Sequence, residues 1–519
     1  MLGIDIGLTR PQGGGADIPA TPPAFTYYVD PVLGDDLNTG DSEGAALQTI
    51  AEALSRATVG EKIGLKRGAV FFETAVSALN TLTIGAYGTG ARPLIRADDA
   101  IAPGAFSQNA THANVYEAAV VSITGGGDHW INVLEDALQL QYVASVALCQ
   151  TTAGSYHVAS HTGTDGQALA QTVYVHPGDS LNPGSNGKSY SCSARQYGVR
   201  LTGTNCVIEG VAAQMQTHPD GSLVITGRNG RIEDCEALYG GKHNAYVAGG
   251  GLVKNTTVKD AHFNYENTSL VVAFDPAGDG LDVTFDTVTM ANSAGARQRM
   301  TAFGYHTSGG AGQTLGTALI ANCRMENCNS WLGGDDATAM IVEDCIAVDC
   351  DFGGFFTKDV TIRRCQVKGS ANDGNLVQPN SDDTVMVVEN TTFCEGRTQR
   401  GIVDSHQRTN VSVTLTNCDF FIQSTDTGWK KHVFMQDGAL TVNGCTFDGD
   451  ATDTGFEIGR SGGTVIYTGN NNHFPAFANG MRHALNGTTY ASLSAWQSGS
   501  GQDAASDATG DASGVCAVT

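Results

Sequence analysis

From Asn205 to Cys445 the chain repeats one pattern of apolar and polar positions about every two dozen residues. Alternating β-formers come first, then Asn, Asp or Gly, then a small residue that is often Cys. Examples are Arg231–Cys235 (RIEDC), Leu319–Cys323 (LIANC), Ile341–Cys345 (IVEDC), Thr361–Cys365 (TIRRC), Leu415–Cys418 (LTNC) and Leu440–Cys445 (LTVNGC). Alternation at period two predicts short strands, and a fixed longer period predicts stacked units. The phrase ends at Val211, Cys235, Thr256, Thr287, Cys323, Cys345, Cys365, Thr391, Cys418 and Cys445. One place earlier stand Gly210, Asp234, Asn255, Asp286, Asn322, Asp344, Arg364, Asn390, Asn417 and Gly444. All but Arg364 belong to the residue types that enter the left-handed backbone region most readily. Each unit is expected to bend there and begin a new strand with a small inward residue. Stacking then gives a turn ladder beside a Cys/Thr column.

Five regions follow. Residues 1–25 are a leader and a Gly/Pro linker (PQGGGADIPATPPA over 11–24), read as a candidate particle anchor. Residues 26–125 hold an N-terminal cap and first rungs. Leu47, Ile50, Ala51 and Leu54 fall at helical spacing, so a short amphipathic helix is expected to cover the open end of the stack. Residues 126–200 break the period and read as inserted β-rich loops or a subdomain. Residues 201–475 carry the rungs. Residues 476–519 are a C-terminal cap and a flexible acidic tail.

A net charge of −24 argues against nucleic acid and anionic membranes as partners. No apolar run is long enough to span a bilayer. Met1–Arg10 has neither a basic start nor a continuous apolar run, so no signal peptide is evident. The 13 Cys lack framework or zinc spacing and read as small buried hydrophobes, suited to folding in a reducing cytoplasm. In the loop Asp30–Ser42, Asp35, Asp36, Asn38 and Asp41 are oxygen donors and a candidate Ca²⁺ site, without EF-hand spacing.

Four stretches together resemble right-handed parallel β-helix proteins of the pectate-lyase-like superfamily. They are Tyr27–Asp30 with Gly34–Gly40, the helix carrying Thr49 and Ile50, Ala86–Pro93 (AYGTGARP), and the Asn/Asp-Cys rungs. The closing Ser492–Trp496 and Gly501–Asp503 resemble the end of many such chains. The resemblance implies an all-β, right-handed solenoid, and it covers most of residues 26–505. Within that superfamily it points to phage tailspikes and polysaccharide depolymerases, and to a homotrimer. One fold carries many activities there, so function must come from a site.

Repeating sugars can track along parallel rungs. The residues some 6 to 13 places before each bend form a polar row: His243 and Tyr246; Tyr305 and His306; Asp335 and Asp336; Lys358 and Asp359; Gln378; Asp404 and His406; Gln436 and Asp437; Glu457. Candidate catalytic residues are Asp336, Asp404, His406, Lys358 and Asp335. Candidate substrate-binding residues are His243, Tyr246, Tyr305, His306, Gln378, Arg408, Gln436 and Glu457. Asp336 with Asp404 would serve a hydrolase, with His406 tuning a proton. For a lyase, Lys358, His406 or His243 would be the base. Arg408, or Ca²⁺ on Asp335 and Asp336, would neutralise a uronate. The reading is a virion-borne protein, made in the bacterial cytoplasm, that binds or depolymerises a host surface polysaccharide and joins the virion through its leader. The alternatives are a secreted stand-alone lyase or glycoside hydrolase, and a non-catalytic adhesive solenoid.

Overall fold

The computed structural model describes residues 25–123, 131–158, 169–218, 220–241, 243–260, 269–275, 280–292, 301–307, 315–333, 337–350, 352–369, 376–395, 401–405, 408–422, 431–449, 454–459, 463–475 and 482–508. The chain winds as a right-handed parallel β-helix with three faces. The first sheet has 14 strands, from Tyr27–Val29 to Val465–Asn470, and the second has 12, from Val70–Phe71 to Thr446–Gly449. The third face has nine strands, from Ala75–Ser77 to Gln378–Pro379, and continues into a five-stranded sheet from Val403–Ser405 to Thr488–Tyr490. A bridge between Val377 and Val403 joins the two parts. One apolar core runs inside the coil from Val29 to Trp496.

The bends between first and second sheets have a local cause. Gly210, Asp234, Asn255, Asn322, Asp344, Arg364, Asn390, Asn417 and Gly444 all have φ between 47° and 67°. The tenth place is a correction: Thr287 (φ 56°), and not Asp286, makes the turn. Asp286 is still in the strand, level with Lys254 and Ala321, so Val288 takes the inward position. Cys323, Cys345 and Cys365 follow the bends of successive coils, on strands that pair in register. Each thiol contacts the carbonyl oxygen two residues back and one in the preceding coil. Cys345 Sγ lies 3.2 Å from Glu343 O and 3.5 Å from Ile320 O. Thr256 and Thr391 make the same backward bond, to Lys254 O (2.8 Å) and Glu389 O (2.9 Å). The position takes a small side chain; where that is Cys or Thr its one donor meets the backbone carbonyl, and Val211 and Val288 fill it without one. Neighbouring thiols and burial push the Cys345 and Cys365 thiols up, so they stay neutral.

Both ends are closed. At the start, helix α1 (Ile50–Arg56) buries Ile50 and Ala53 against the first coil, and Thr49 Oγ1 caps it. At the other end, Trp496 of the helix Leu493–Ser500 is fully buried. It donates to Asp503, a buried carboxylate that also accepts from Tyr467, Asn472 and Ser506. Inside the last coils Phe393, Phe420, Phe447 and Phe474 stack at centroid spacings of 5.3, 4.9 and 5.4 Å. Between Arg96 and Val199 the coil is interrupted. Strands from Asp98–Ile101 to Tyr190–Ser193 form two mostly antiparallel sheets with a core of their own. This unit docks on the solenoid through buried Asn132, whose amide donates to Tyr239 O (2.8 Å) and Gly240 O (2.9 Å).

Candidate functional site on the third sheet

Strands of the third face are short, and their alternation sorts side chains cleanly. Val199 and Leu201, Leu223 and Ile225, Ala245 and Val247 point into the core. The residue between each pair points out. Pairing register sets those outward residues in one file: Val76, Arg200, Val224, Tyr246, Val272 and Gly304. Further along, Gly354 is level with Gln378. The bridge at Val377 then places Gln378 beside Asp404, and Asp404, Phe434, Glu457 and Ala484 continue the file.

The C-terminal part of this file concentrates charge. Asp404 is fully buried although it faces away from the core. Glu457 lies two strands on and is ion-paired with Lys431, with side-chain exposures of 12% and 3%. The Lys431 ammonium also sits 3.8 Å over the Phe434 ring. Taking charges out of water costs several kcal/mol per ion, and a buried ion pair stabilises a fold no better than packed apolar groups on average. Two carboxylates in one outward file, one of them paired with a buried ammonium, are therefore poor structural cement. Strand spacing puts the Asp404 and Glu457 backbones about 10 Å apart.

The N-terminal part carries a second group. The Arg200 guanidinium lies 4.9 Å over the Tyr197 ring, and its Nη2 is 3.8 Å from Asp220. The His218 ring is 4.6 Å from Tyr197 and its Nδ1 is 3.4 Å from Asp220. Burial raises the Tyr197 hydroxyl above its ordinary range, partly countered by Arg200. Val224, Tyr246 and Val272 continue from Arg200 as a buried apolar strip outside the main core.

Of the residues singled out from sequence, Tyr246, Gln378, Asp404 and Glu457 share the file. His243, 9% exposed, is at the turn just before Ala245. Tyr305 and His306 lie on the strand Thr301–Thr307, level with Ala273 and Phe274, while Gly304 holds the file position. Lys358 is elsewhere: it is exposed at a coil corner, 3.8 Å from Asp383. Asp359 opens a first-sheet strand. Asp437, next to Gln436, accepts from Asn410 N (3.0 Å) and Thr464 N (3.2 Å), tying successive corners together. Arg408 is in the corner after Val403–Ser405, with its N–H on Ser405 O. Asp335, Asp336 and His406 lie outside the described residues, as does the leader to Ala24. Tyr197, Arg200, His218, Asp220, Lys431 and Phe434 were not expected. Arg200 is detectable as one cation between inward Val199 and Leu201, and Phe434 as the outward residue between Val433 and Met435.

The acidic N-terminal loop is committed to local bonds. Asp36 accepts from Gln48 N, Thr49 N and Thr49 Oγ1, each at 2.9 Å. Burial would raise its carboxyl, but those bonds and Arg56 outweigh it and hold it below the usual range. Asp35 accepts from Leu37 N, Asn38 donates to Ala46 O, and Asp41 accepts from Thr39 Oγ1. Among the described residues no three His, Cys, Asp or Glu side chains converge on a metal position, and none of the described helices is long and apolar enough to cross a membrane.

No family model matches the chain, and no curated protein does. Among solved structures, XylC in complex with xylose is similar over 86% of this chain and 83% of its own, at 12% identity and a TM-score of 0.51. A GH136 lacto-N-biosidase from Eubacterium ramulus is similar over 93% and 66%, at 12% identity and a TM-score of 0.35. The tailspike protein gp49 of Pseudomonas phage LKA1 is similar over 82% and 76%, at 11% identity and a TM-score of 0.36. At such identities the likeness is one of fold.

Proposed function

We propose that this chain is a tailspike-like, virion-borne β-helix that holds a host surface polysaccharide along the outer face of the third sheet and hydrolyses it with Asp404 and Glu457. The observation that carries the reading is the outward file Gln378–Asp404–Phe434–Glu457, with two carboxylates two strands apart. Glycosidases need two carboxyl groups flanking the scissile bond. Pairs about 5 Å apart retain configuration, and pairs roughly 6.5–9.5 Å apart leave room for water and invert it. A spacing of two strands favours the second. Gln378, with donor and acceptor on one amide, suits sugar hydroxyls. Because Asp404 is fully buried, glycan binding must open a path to it. Attachment through the leader belongs to the same reading on the strength of the leader and its Gly/Pro linker, and three-fold assembly by family resemblance.

The test is incubation with host capsule, following reducing ends, absorbance near 235 nm for unsaturated uronates, and the anomer released. The expected result is new reducing ends without that absorbance, an inverted anomer, and loss of cleavage in Asp404→Asn and in Glu457→Gln with glycan binding kept. Unchanged turnover in both variants removes the pair, and unsaturated products replace hydrolysis with elimination.

A further inference from the structure

We propose that the N-terminal end of the same face holds a subsite for the carboxylate of an acidic sugar, gripped by Arg200 and Gln196. This rests on the polysaccharide reading above and narrows its substrate class. Two donors in one short segment, Gln196 Nε2 and Arg200 Nε, are buried and have no acceptor among the described residues. A buried donor left unpaired costs about 1–3 kcal/mol, and folded proteins rarely keep two together without a reason. The unspent capacity is all donor, so the missing partner is an acceptor.

The surroundings say which kind. The guanidinium lies over the Tyr197 ring at 4.9 Å, and its fork matches a carboxylate with two parallel bonds. Its carboxylate neighbour, Asp220, stands 3.8 Å away, beyond hydrogen-bond reach. Asp220 is drawn toward His218, whose Nδ1 accepts from Asp220 N at 3.2 Å. A sugar acid can therefore take the Arg200 fork without breaking a strong ion pair. A chain of net charge −24 repels acidic glycans at a distance, so a local cation is what such a ligand would need.

The test is a ligand-observed NMR titration of the full chain with glucuronate and galacturonate, against glucose and galactose. The acids are expected to bind at least ~10-fold more tightly than their neutral counterparts, as one charge-assisted bond implies. Arg200→Gln is expected to abolish that preference, and Arg200→Lys to restore it only in part, since an ammonium lacks the fork. Gln196→Leu removes the second donor. It should weaken acid binding while leaving the melting temperature equal or higher, which keeps the test valid if Arg200→Gln fails to fold. Equal binding of acids and neutral sugars, or a preference that survives Arg200→Gln, overturns the subsite. Cleavage of a polysaccharide without any acid preference removes the subsite alone. Acid preference with unaltered cleavage in Asp404→Asn and Glu457→Gln removes the catalytic pair alone.

Discussion

Acid should loosen this solenoid through one histidine. His432 is fully buried at the corner before the strand Val433–Met435. Its Nε2–H donates to Asp448 O at 2.9 Å, its Nδ1 has no partner among the described residues, and the Phe447 ring lies 5.4 Å away. A proton on Nδ1 would put a charge where nothing solvates it, so burial drives the imidazole from 6.5 down to about 4. In the unfolded chain it titrates near 6.5. As pH falls the unfolded chain takes up the proton first. Stability is therefore whole above pH 6.5 and drains away between 6.5 and about 4. At about 1.4 kcal/mol per pH unit the full loss is roughly 3 kcal/mol. His432→Gln keeps a donor for Asp448 O and removes the titration. Urea unfolding followed by circular dichroism at pH 7.5, 6.5, 5.5 and 4.5 reads the difference. The variant should gain on the wild type steadily below pH 6.5. Curves that stay parallel down to pH 4.5 would show that His432 is solvated or already charged in the fold.

Two substitutions probe what holds the C-terminal coils. Asp503→Ala strands the donors of Tyr467, Trp496, Asn472 and Ser506, with an expected cost of about 3 kcal/mol or more. Trp496 fluorescence should report local opening of the cap before the rest melts, and a single unchanged transition would contradict this. Phe447→Ala removes the middle of the Phe stack and should cost about 3–5 kcal/mol, read as a lowered melting temperature. Phe447→Leu should recover much of it.

The turn ladder was legible because a left-handed bend restricts residue type, whatever the distant contacts. Even so the ruler slipped at Asp286-Thr287. Asp suits a bend better than Thr, but here Asp286 is held in the strand by its bonds to Lys254 and Asn322. The Phe ladder at 393, 420, 447 and 474 was equally visible and went unread, since one aromatic per repeat looks like ordinary core. The site was less legible. Counting back from first-sheet bends assumes equal corner lengths, and the corners differ from coil to coil. The count therefore reached the outward file at Tyr246, Gln378, Asp404 and Glu457 but stopped at corners for Lys358 and Asp437. Arg200 escaped because the row began two coils later, at His243. Ion pairing of Lys431 with Glu457 needed the register of two coils at once, which no local pattern carries.

Why charge is tolerated at those coils follows from the stacking itself. In a solenoid each coil leans mainly on its neighbours, so the cost of a buried ion must be offset close by. Asp404, Phe434 and Glu457 belong to the coils that carry the stacked Phe393, Phe420 and Phe447 inside. This makes a prediction that separates function from support. Removing one partner of Lys431–Glu457 leaves a lone buried charge and should cost about 3–5 kcal/mol. Replacing both, as Lys431→Met with Glu457→Leu, should restore or exceed wild-type stability, because apolar groups of similar size fill the same space without desolvation. The double variant should nonetheless release no reducing ends from capsule. If it is instead as unstable as the two single variants added together, the pair is a structural clamp, and the carboxylate at 457 loses its claim to chemistry.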